Sequence, residues 1–377
     1  MSKNNEYKRI VVKAGTSLLT KGSDRLNISV VSDIVSQISG LQAGGYQMVM
    51  VTSGAVAVGR EVLEGIEKRG GIPERQVLAA VGQGRLMNIY DGEFSKKGTI
   101  SAQALLSRGD VNDRLRYLNV RNTIIGLIES GVVPIINEND VVAVDELTSE
   151  VFGDNDNLSA LVANLIDADL LIILGTVKGM YTKDPTIHSD AEIVPVVEKI
   201  DESLEAFAGP SSDGMGRGGM VTKIEAAKLA TSSGIDVVIA SGMEYKPITR
   251  LAAGDRIGTL FSATVSKLES RKRWMLSSLR GNLVIRVDPG AAKALKEHHR
   301  SLLPAGIVVS EGDFGRGDIV SIVDSGGTNI GIGITNYSAD DLNKIRKIRS
   351  DKIQSILGYQ YGDEAIHKNN LVLVEHS

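Results

Sequence analysis

The stretch RIVVKAGTS at residues 9–17 begins with a short apolar run that ends in a lysine, and small residues follow it. Further apolar runs of strand length occur along the chain, and segments with helical periodicity separate them. This alternation predicts an α/β fold, with an open, mainly parallel sheet sandwiched by helices. The predicted strands cover residues 9–13, 47–52, 132–137, 170–174 and 236–240, and the predicted helices cover 29–41, 74–95, 113–130, 157–166 and 221–233.

Polar or small residues stand at the ends of several predicted strands. Lys13, Ser53, Asn137 and Gly175 each lie at or just beyond the end of an apolar run. In open parallel sheets, ligands bind at the carboxyl ends of the strands. We therefore expect these positions to lie along one crevice.

The composition excludes several classes of protein. The chain has 377 residues, enough for two or three domains, and a formal net charge of −4. It contains no cysteine, which rules out disulfides, thiolate metal sites and a thiol nucleophile. The charge gives no general attraction to nucleic acid or to an anionic membrane, so we expect a small-molecule partner. The polar start and the absence of a long apolar run predict a cytoplasmic protein without a membrane span.

A second lysine lies in a glycine-rich stretch, GMGRGGMVTK at residues 214–223. Glycines let backbone N–H groups approach a phosphate, and a lysine supplies a point charge for its oxygens. Lys223 is predicted to open a helix, where unpaired N–H groups also favour an anion. Together with Lys13, it suggests phosphoryl transfer. The alternatives are a solvated lysine at a strand end for Lys13 and a flexible surface loop for the glycines.

Acidic and amide side chains form a third marker, NEND at residues 137–140 and GDNDN at residues 153–157. Carboxylates with amides can bind an amino-acid head group or hold Mg²⁺. A carboxylate acceptor is ionised at neutral pH, so its phosphorylation needs positive charge rather than a general base. The alternative is local, because Asp and Asn are also favoured in a turn that caps a helix.

Taken together, these motifs resemble the amino acid kinase family, and within it the branch that phosphorylates glutamate. The resemblance rests on Lys13 at the end of the first strand, VTSGA at 51–55, LAAVGQ at 78–83, residues 135–140, residues 153–160 and GGMVTK at 218–223. The C-terminal part, with short strands and frequent turn signals, looks like a PUA domain. The predicted domains are a kinase domain over 1–262, a linker over 263–280 and a small β-rich PUA-like domain with a C-terminal extension over 281–377.

The resemblance implies ATP-dependent phosphorylation of the side-chain carboxylate of L-glutamate, the first step of proline biosynthesis, with Mg²⁺ on the ATP phosphates and feedback inhibition by proline. It implies catalytic roles for Lys13, Lys223 and Asp156. It also implies that Ser53, Asp140 and Asn155 bind the amino-acid substrate. The implied ATP-binding positions are Lys13, Gly15, Thr16, Gly175, Thr176, Arg217, Gly218, Gly219, Met220, Val221, Thr222 and Lys223.

Two places depart from the family pattern. Gly175 and Thr176 stand where the family commonly has Thr-Asp, and Arg217 stands where a threonine is frequent. These positions usually lie beside the nucleotide, so the departures bear on how the nucleotide is recognised. Neither change removes the residues that the resemblance assigns to phosphoryl transfer.

The C-terminal module raises a rival interpretation, because PUA-like domains suggest RNA. Residues 281–377 contain 11 lysines and arginines and 12 aspartates and glutamates, which gives no overall attraction to a phosphate backbone. We therefore expect a structural or regulatory role without RNA. The alternatives are a kinase for aspartate, acetylglutamate or a nucleotide, and a catalytically inactive RNA-binding regulator. Expected partners include a second copy of the chain, as a dimer or tetramer, and a separate reductase for the product.

Overall fold

The computed structural model describes residues 7–63, 71–142, 155–183, 185, 187–201, 204, 219–279 and 281–374, with only the backbone at residues 71 and 72. The chain divides into two compact units. Unit 1 comprises Met1–Val111 and Arg121–Lys267, and unit 2 comprises Asn112–Val120 and Leu268–Ser377.

Unit 1 is built on one large sheet. Its strands are β1 (Arg9–Ala14), β2 (Gln47–Val51), β3 (Ser101–Leu106), β4 (Val133–Glu138), β5 (Leu170–Gly175), β6 (Val196–Val197), β7 (Asp236–Ser241) and β8 (Thr259–Phe261). Across the sheet they follow the order β3-β4-β2-β1-β5-β7-β8-β6. Among these described strands, neighbours are parallel except β7 and β8, which are antiparallel.

Helices cover the sheet of unit 1. They are α1 (Thr16–Leu19), α2 (Ile28–Ala43), α3 (Ala55–Val62), α4 (Gly71–Ser95), α5 (Arg108–Asn112), α6 (Arg114–Glu129), α7 (Asn155–Leu165), α8 (Met220–Thr231) and α9 (Pro247–Ala252). The first residues of α6 belong to the 112–120 segment of unit 2.

The predicted fold class is confirmed, and so are the five predicted strands and five predicted helices, whose ends differ from the prediction by at most a few residues. Three further strands were not predicted. The edge strand β3, with sequence SAQALL, is only partly buried and lacks a continuous apolar run. β6 has two residues and β8 has three, which is too short for a periodic pattern to be visible.

β1 is fixed in the middle of the sheet by burial on both faces. Ile10, Val11 and Val12 have no exposed surface. Full burial of one such side chain contributes about 1.5–3 kcal/mol. The strand therefore holds Lys13, near its carboxyl end, in a well-defined position.

Gly54 turns the chain sharply between β2 and α3. Its φ of +106° lies in the region that side chains with a Cβ rarely adopt. The turn leaves Ser53 between the end of β2 and the start of α3. A strand end and a helix start thus meet beside the predicted substrate-binding serine.

Unit 2 contains a second, smaller sheet. Its described strands are β9 (Val284–Val287), β10 (Ile307–Glu311), β11 (Ile319–Val323), β12 (Asn329–Ile334) and β13 (Leu371–Leu373), in the order β10-β9-β11-β12-β13. The helices that follow α9 in the sequence are α10 (Lys267–Ser278), α11 (Pro289–His298), α12 (Ala339–Ile345) and α13 (Ile353–Leu357). Asp288 caps α11 by accepting a hydrogen bond from the Ala291 N–H at 2.8 Å.

Over the described part of the chain, no helix combines the length and the apolar character needed to cross a lipid bilayer.

Candidate active site

The carboxyl ends of the central parallel strands meet at one edge of the sheet of unit 1. Lys13 of β1 is in register with Val51 of β2 and with Ile173 of β5. β4 pairs with β2 in the register that aligns Ile136 with Val51. The ends of β4, β2, β1 and β5 are therefore neighbours, and the positions predicted to share a crevice lie along this edge.

Asp156, at the start of α7, joins two lysines that are far apart in the sequence. Its Oδ1 lies 2.5 Å from Lys13 Nζ, and its Oδ2 lies 3.1 Å from Lys223 Nζ. The exposed fractions of the side chains are 0% for Asp156, 3% for Lys13 and 9% for Lys223. Buried charges are tolerated when they are paired, and here two ammonium groups share one carboxylate. The carboxylate therefore holds the two ammonium groups close together.

α8 adds a hydroxyl and a helix N-terminus to the same place. Thr222 Oγ1 lies 3.0 Å from Asp156 Oδ2 and 3.0 Å from the carbonyl oxygen of Gly219. Gly219 is the N-cap residue, and it provides no side-chain cap. Because the first N–H groups of a helix have no intrahelical acceptor, this end is suited to phosphate oxygens.

A network of amide side chains lies beside the lysines and the aspartate. Asn155 Nδ2 lies 2.7 Å from the carbonyl oxygen of Thr52, 2.7 Å from Ser53 Oγ and 3.1 Å from Asn137 Oδ1. Asn137 Nδ2 donates to Gln83 Oε1 at 2.8 Å. Two buried atoms of the network, Gln83 Nε2 and Asn155 Oδ1, have no hydrogen-bond partner among the described residues. One of them is a donor and the other is an acceptor.

A buried tyrosine supports the end of β2. Tyr90 OH lies 2.7 Å from Thr52 Oγ1, and the Thr52 N–H donates to the carbonyl oxygen of Ile136 at 2.9 Å. Burial raises the pKa of Tyr90, so its hydroxyl is neutral at physiological pH. Tyr90 thus positions the backbone next to Ser53 without adding charge.

Two glycines keep the backbone close to the lysine side chains. A Cβ atom on Gly15 would lie 3.2 Å from Lys13 Nζ, and one on Gly175 would lie 3.6 Å from Lys223 Cε. A side chain at either position would therefore occupy space beside a lysine.

Two threonines of the predicted ATP site lie next to these glycines in the sequence. Thr16 begins α1, and the carbonyl oxygen of Thr176 accepts from Ser241 Oγ at 3.4 Å.

The structure brings six of the predicted site residues into two adjoining groups. Lys13, Asp156, Thr222 and Lys223 form one group, and Ser53 and Asn155 belong to the amide network. Asn155 and Asp156 are consecutive at the start of α7, so this helix joins the two groups.

Other predicted positions are not part of either group as described. Met220 and Val221 lie in the first turn of α8. Asp140 lies in a turn two residues beyond the end of β4 and is partly exposed. Arg217 and Gly218 lie outside the described residues, so the departure at Arg217 has no structural account.

Sequence reasoning missed Thr52, Gln83 and Tyr90 as site residues. LAAVGQ at residues 78–83 carries part of the family resemblance, but the resemblance implies no role for its residues. The spacing of Gln83 and Tyr90 is the sequence signal that could have identified these two residues. They lie two helical turns apart and therefore on the same face of α4. Asn137 is one of the positions expected at the crevice, but the family resemblance does not imply that it binds the substrate.

A mainly parallel α/β sheet that ends in a buried Lys–Asp–Lys cluster beside a helix N-terminus is a suitable framework for phosphoryl transfer. The chain belongs to the amino acid kinase family, because residues 8–241 match the model of that family, and residues 284–357 match the PUA domain model. It is therefore an enzyme, a kinase with a C-terminal PUA domain.

Curated relatives resemble this chain over almost its whole length. A protein from Dehalococcoides mccartyi named glutamate 5-kinase is 52% identical over 98% of this chain and 99% of its own length. Proteins with the same name from Caldanaerobacter subterraneus and Deinococcus radiodurans are 47% and 46% identical, over 97% of this chain and 98% and 100% of their own lengths.

Proposed function

We propose that this chain transfers the γ-phosphoryl group of ATP to the side-chain carboxylate of L-glutamate. A carboxylate oxygen would attack the γ-phosphorus, the bond from that phosphorus to the β,γ-bridging oxygen would break, and ADP would leave with the electron pair. The products are L-glutamyl 5-phosphate and ADP. The names of the relatives support this assignment.

The observation that carries the proposal is the position of Asp156 between Lys13 and Lys223, all three of them buried. Both reactants are anions, so the main obstacle is charge repulsion rather than removal of a proton. Two lysines in a site of low dielectric constant can offset the charge on the transferring group. Asp156 keeps both ammonium groups oriented until the anions bind.

The amide network supports an amino acid as the acceptor. Within the described part of the chain, the Gln83 Nε2 donor and the Asn155 Oδ1 acceptor have no partner, and a single Asn137 side chain links the two residues. A free amino acid carries an α-carboxylate and an α-ammonium group, which need a donor and an acceptor respectively. Ser53 Oγ, beside Asn155, adds another polar contact.

We propose that the phosphates of ATP, rather than a set of protein ligands alone, bind Mg²⁺. Among the described residues, no group of three or more acidic or histidine side chains is placed to hold a metal ion. Mg²⁺ usually binds through substrate phosphates and one or two carboxylates. Asp156 is the carboxylate beside the lysines, and the ion would reduce the charge of the phosphates when bound.

Proline is proposed as a feedback inhibitor at or near the amino-acid site, because it carries the same pairing of an α-carboxylate with a charged amine. We also propose that the chain forms a homo-oligomer and that a separate reductase consumes the acyl phosphate. Proline should raise the KM for glutamate without lowering the extrapolated kcat if it shares that site.

The proposal is tested by ADP release with L-glutamate, L-aspartate, N-acetyl-L-glutamate and UMP, with and without proline. Hydroxylamine traps an acyl phosphate as a hydroxamate, which identifies the product. We expect activity with glutamate and its loss in Lys13→Ala, whereas Lys8→Ala, at an exposed lysine before β1, should behave as wild type. A preference for another acceptor would reassign the substrate. An electrophoretic shift with RNA and no ADP release would support a binding regulator.

A further inference from the structure

Outside the kinase site, unit 2 holds an arginine among three tyrosines. Arg316 Cζ lies 4.0 Å from the centre of the Tyr361 ring, which is a cation–π arrangement. The Tyr361 ring centre lies 5.9 Å from that of Tyr337 and 5.1 Å from that of Tyr359. We call these four residues the Arg316 cluster. Tyr359 and Tyr361 are 38% and 49% exposed, so the cluster reaches the surface.

Arg316 is partly buried, and the described residues form no ion pair with it. Its Nε is buried and has no hydrogen-bond partner among the described residues either. Other partly buried arginines of unit 2 differ in this respect. Arg114 lies 3.4 Å from Asp318, and Arg286 lies 3.2 Å from Glu311.

The neighbouring tyrosines do not supply the missing negative charge. Tyr337 OH donates to the carbonyl oxygen of Gly362 at 2.6 Å, and burial raises the pKa of Tyr337. Tyr359 OH donates to Asp341 Oδ2 at 2.6 Å, and this bond raises the pKa of Tyr359 to about 12. Both hydroxyls are therefore neutral at physiological pH. Burial also lowers the pKa of Arg316, although a guanidinium stays charged in proteins.

We propose that the Arg316 cluster binds a small oxyanion that carries a flat ring. The guanidinium can present parallel N–H donors to a phosphate monoester or a carboxylate, and the exposed tyrosine rings offer a surface for the attached ring. A small ligand fits better than a polynucleotide, because residues 281–377 carry 12 acidic and 11 basic side chains. The site is separate from the proposed kinase reaction.

The test follows the tyrosines of the full-length protein by ¹⁹F NMR after incorporation of 3-fluorotyrosine. Tyr359→Phe and Tyr361→Phe assign the two exposed signals of the cluster. The probes are phenyl phosphate and benzoate, with inorganic phosphate as an oxyanion without a ring and phenol as a ring without an oxyanion. We expect saturable shifts of the assigned signals with phenyl phosphate, benzoate or both, at least about tenfold weaker binding of inorganic phosphate and no saturable shift with phenol. The comparison of the two ring-bearing probes identifies the preferred oxyanion.

Variants separate a binding site from a structural contact. Arg316→Gln should weaken binding by about tenfold or more, and Arg316→Lys should be intermediate because it keeps the charge but loses the planar fork. Arg349→Gln is the matched control, since Arg349 is an exposed arginine of the same unit that lies 3.3 Å from Asp351, and it should bind as wild type.

Two results would overturn the proposal: no saturable shift with either ring-bearing probe in the wild-type protein, or undiminished binding in a folded Arg316→Gln variant. If circular dichroism shows that Arg316→Gln is unfolded, the Tyr361→Leu variant tests the site instead. It removes the stacked ring, so phenyl phosphate should then bind no better than inorganic phosphate. Retention of the preference for the ring would reject the site.

Discussion

Lys13 Nζ lies 2.5 Å from Asp156 Oδ1 although one residue lies near the end of a central strand and the other lies in the first turn of a helix much later in the chain. Neither side chain has appreciable contact with solvent. The same carboxylate also pairs with Lys223, so its removal would leave two buried ammonium groups close together without their shared partner. Asp156 is thus a shared counter-charge for two buried ammonium groups.

Asp156→Asn should therefore lose both activity and stability. We expect kcat to fall by about 10²–10³-fold, because the lysines lose the group that orients them. We expect the free energy of unfolding to fall by about 3–5 kcal/mol, because breaking a buried ion pair leaves uncompensated charge. ADP release and urea unfolding measure the two effects.

Asp167→Asn is the matched control for this loss of activity. Asp167 lies just beyond the other end of α7, where its Oδ2 is 2.6 Å from Nη2 of the buried Arg121. Asparagine tolerates the left-handed backbone that Asp167 adopts, with φ of +53°. This variant should lose stability but keep kcat within about threefold of wild type, because its ion pair is separated from the site by the helix length. An equal loss of kcat in both variants would mean that the effect of Asp156 is only structural.

A pair of substitutions at Gln83 should show whether its amide nitrogen meets the substrate. Gln83→Glu keeps an acceptor for Asn137 Nδ2, but it replaces the Nε2 donor by a carboxylate oxygen. That donor has no partner among the residues that the structure describes. If Nε2 binds the α-carboxylate, repulsion should raise the KM for the amino acid by about 10- to 100-fold and leave the KM for ATP unchanged.

Gln83→Leu separates this role from support of Asn137. It removes both polar atoms, so it should raise the KM for the amino acid less than Gln83→Glu does if repulsion is the main cause. A Gln83→Glu variant with a normal KM and an impaired Gln83→Leu variant would show that Gln83 only positions Asn137.

The central strands were predictable because their burial leaves a direct trace in the sequence. β1 and β5 lie in the middle of the sheet, so each reads as a continuous apolar run. β3 lies at the edge, and its mixed burial gave no such run. The lysines at residues 13 and 223 were identified because glycines accompany them.

The amide network was less predictable, because it depends on side chains from three separate elements. Gln83 comes from α4, Asn137 from β4 and Asn155 from α7. Each residue has an ordinary local explanation. Gln83 is explained as a helix residue, Asn137 as a polar residue at the end of a strand and Asn155 as a turn or cap former. Only the three-dimensional structure shows that Asn137 links the other two through both atoms of its amide.

Stability at acid pH should depend on Asp169, at the opposite end of the sheet from the lysines. Burial raises the pKa of Asp169, but hydrogen bonds from the Lys267 side chain and from the backbone N–H groups of Arg9 and Lys8 outweigh it, so the net pKa lies below 3.8. A depressed folded-state pKa gives stability that is present above the unfolded-state pKa and lost as the pH falls through the folded-state value.

The advantage of wild type over Asp169→Asn should therefore be constant from about pH 7 to about pH 5 and shrink below about pH 4. Urea unfolding at a series of pH values measures it. Lys267→Gln removes the largest of the lowering contacts, so it should move the decline to higher pH. A difference in unfolding free energy that is independent of pH would contradict the role of the carboxylate charge.

The crossing of α3 and α4 should tolerate no side chain at Gly82. A Cβ atom there would lie 1.9 Å from the carbonyl oxygen of Ala55 and 2.5 Å from the backbone nitrogen of Gly59. Because this contact is backbone against backbone, Gly82→Ala must push the helices apart, at a cost of about 1–3 kcal/mol or more. Activity should fall as well, because Gly82 precedes Gln83 and Ala55 follows the turn that positions Ser53.

Gly84→Ala is the matched control on the same helix. A Cβ atom at Gly84 would meet no heavy atom within 4 Å, and the residue is exposed. Replacing a glycine inside a helix by alanine should therefore stabilise the protein by about 0.5–1 kcal/mol. The midpoints of urea unfolding should move in opposite directions for the two variants, and only Gly82→Ala should reduce ADP release. If Gly82→Ala proved as stable as wild type, the close approach of the two helices would not be a constraint on the site.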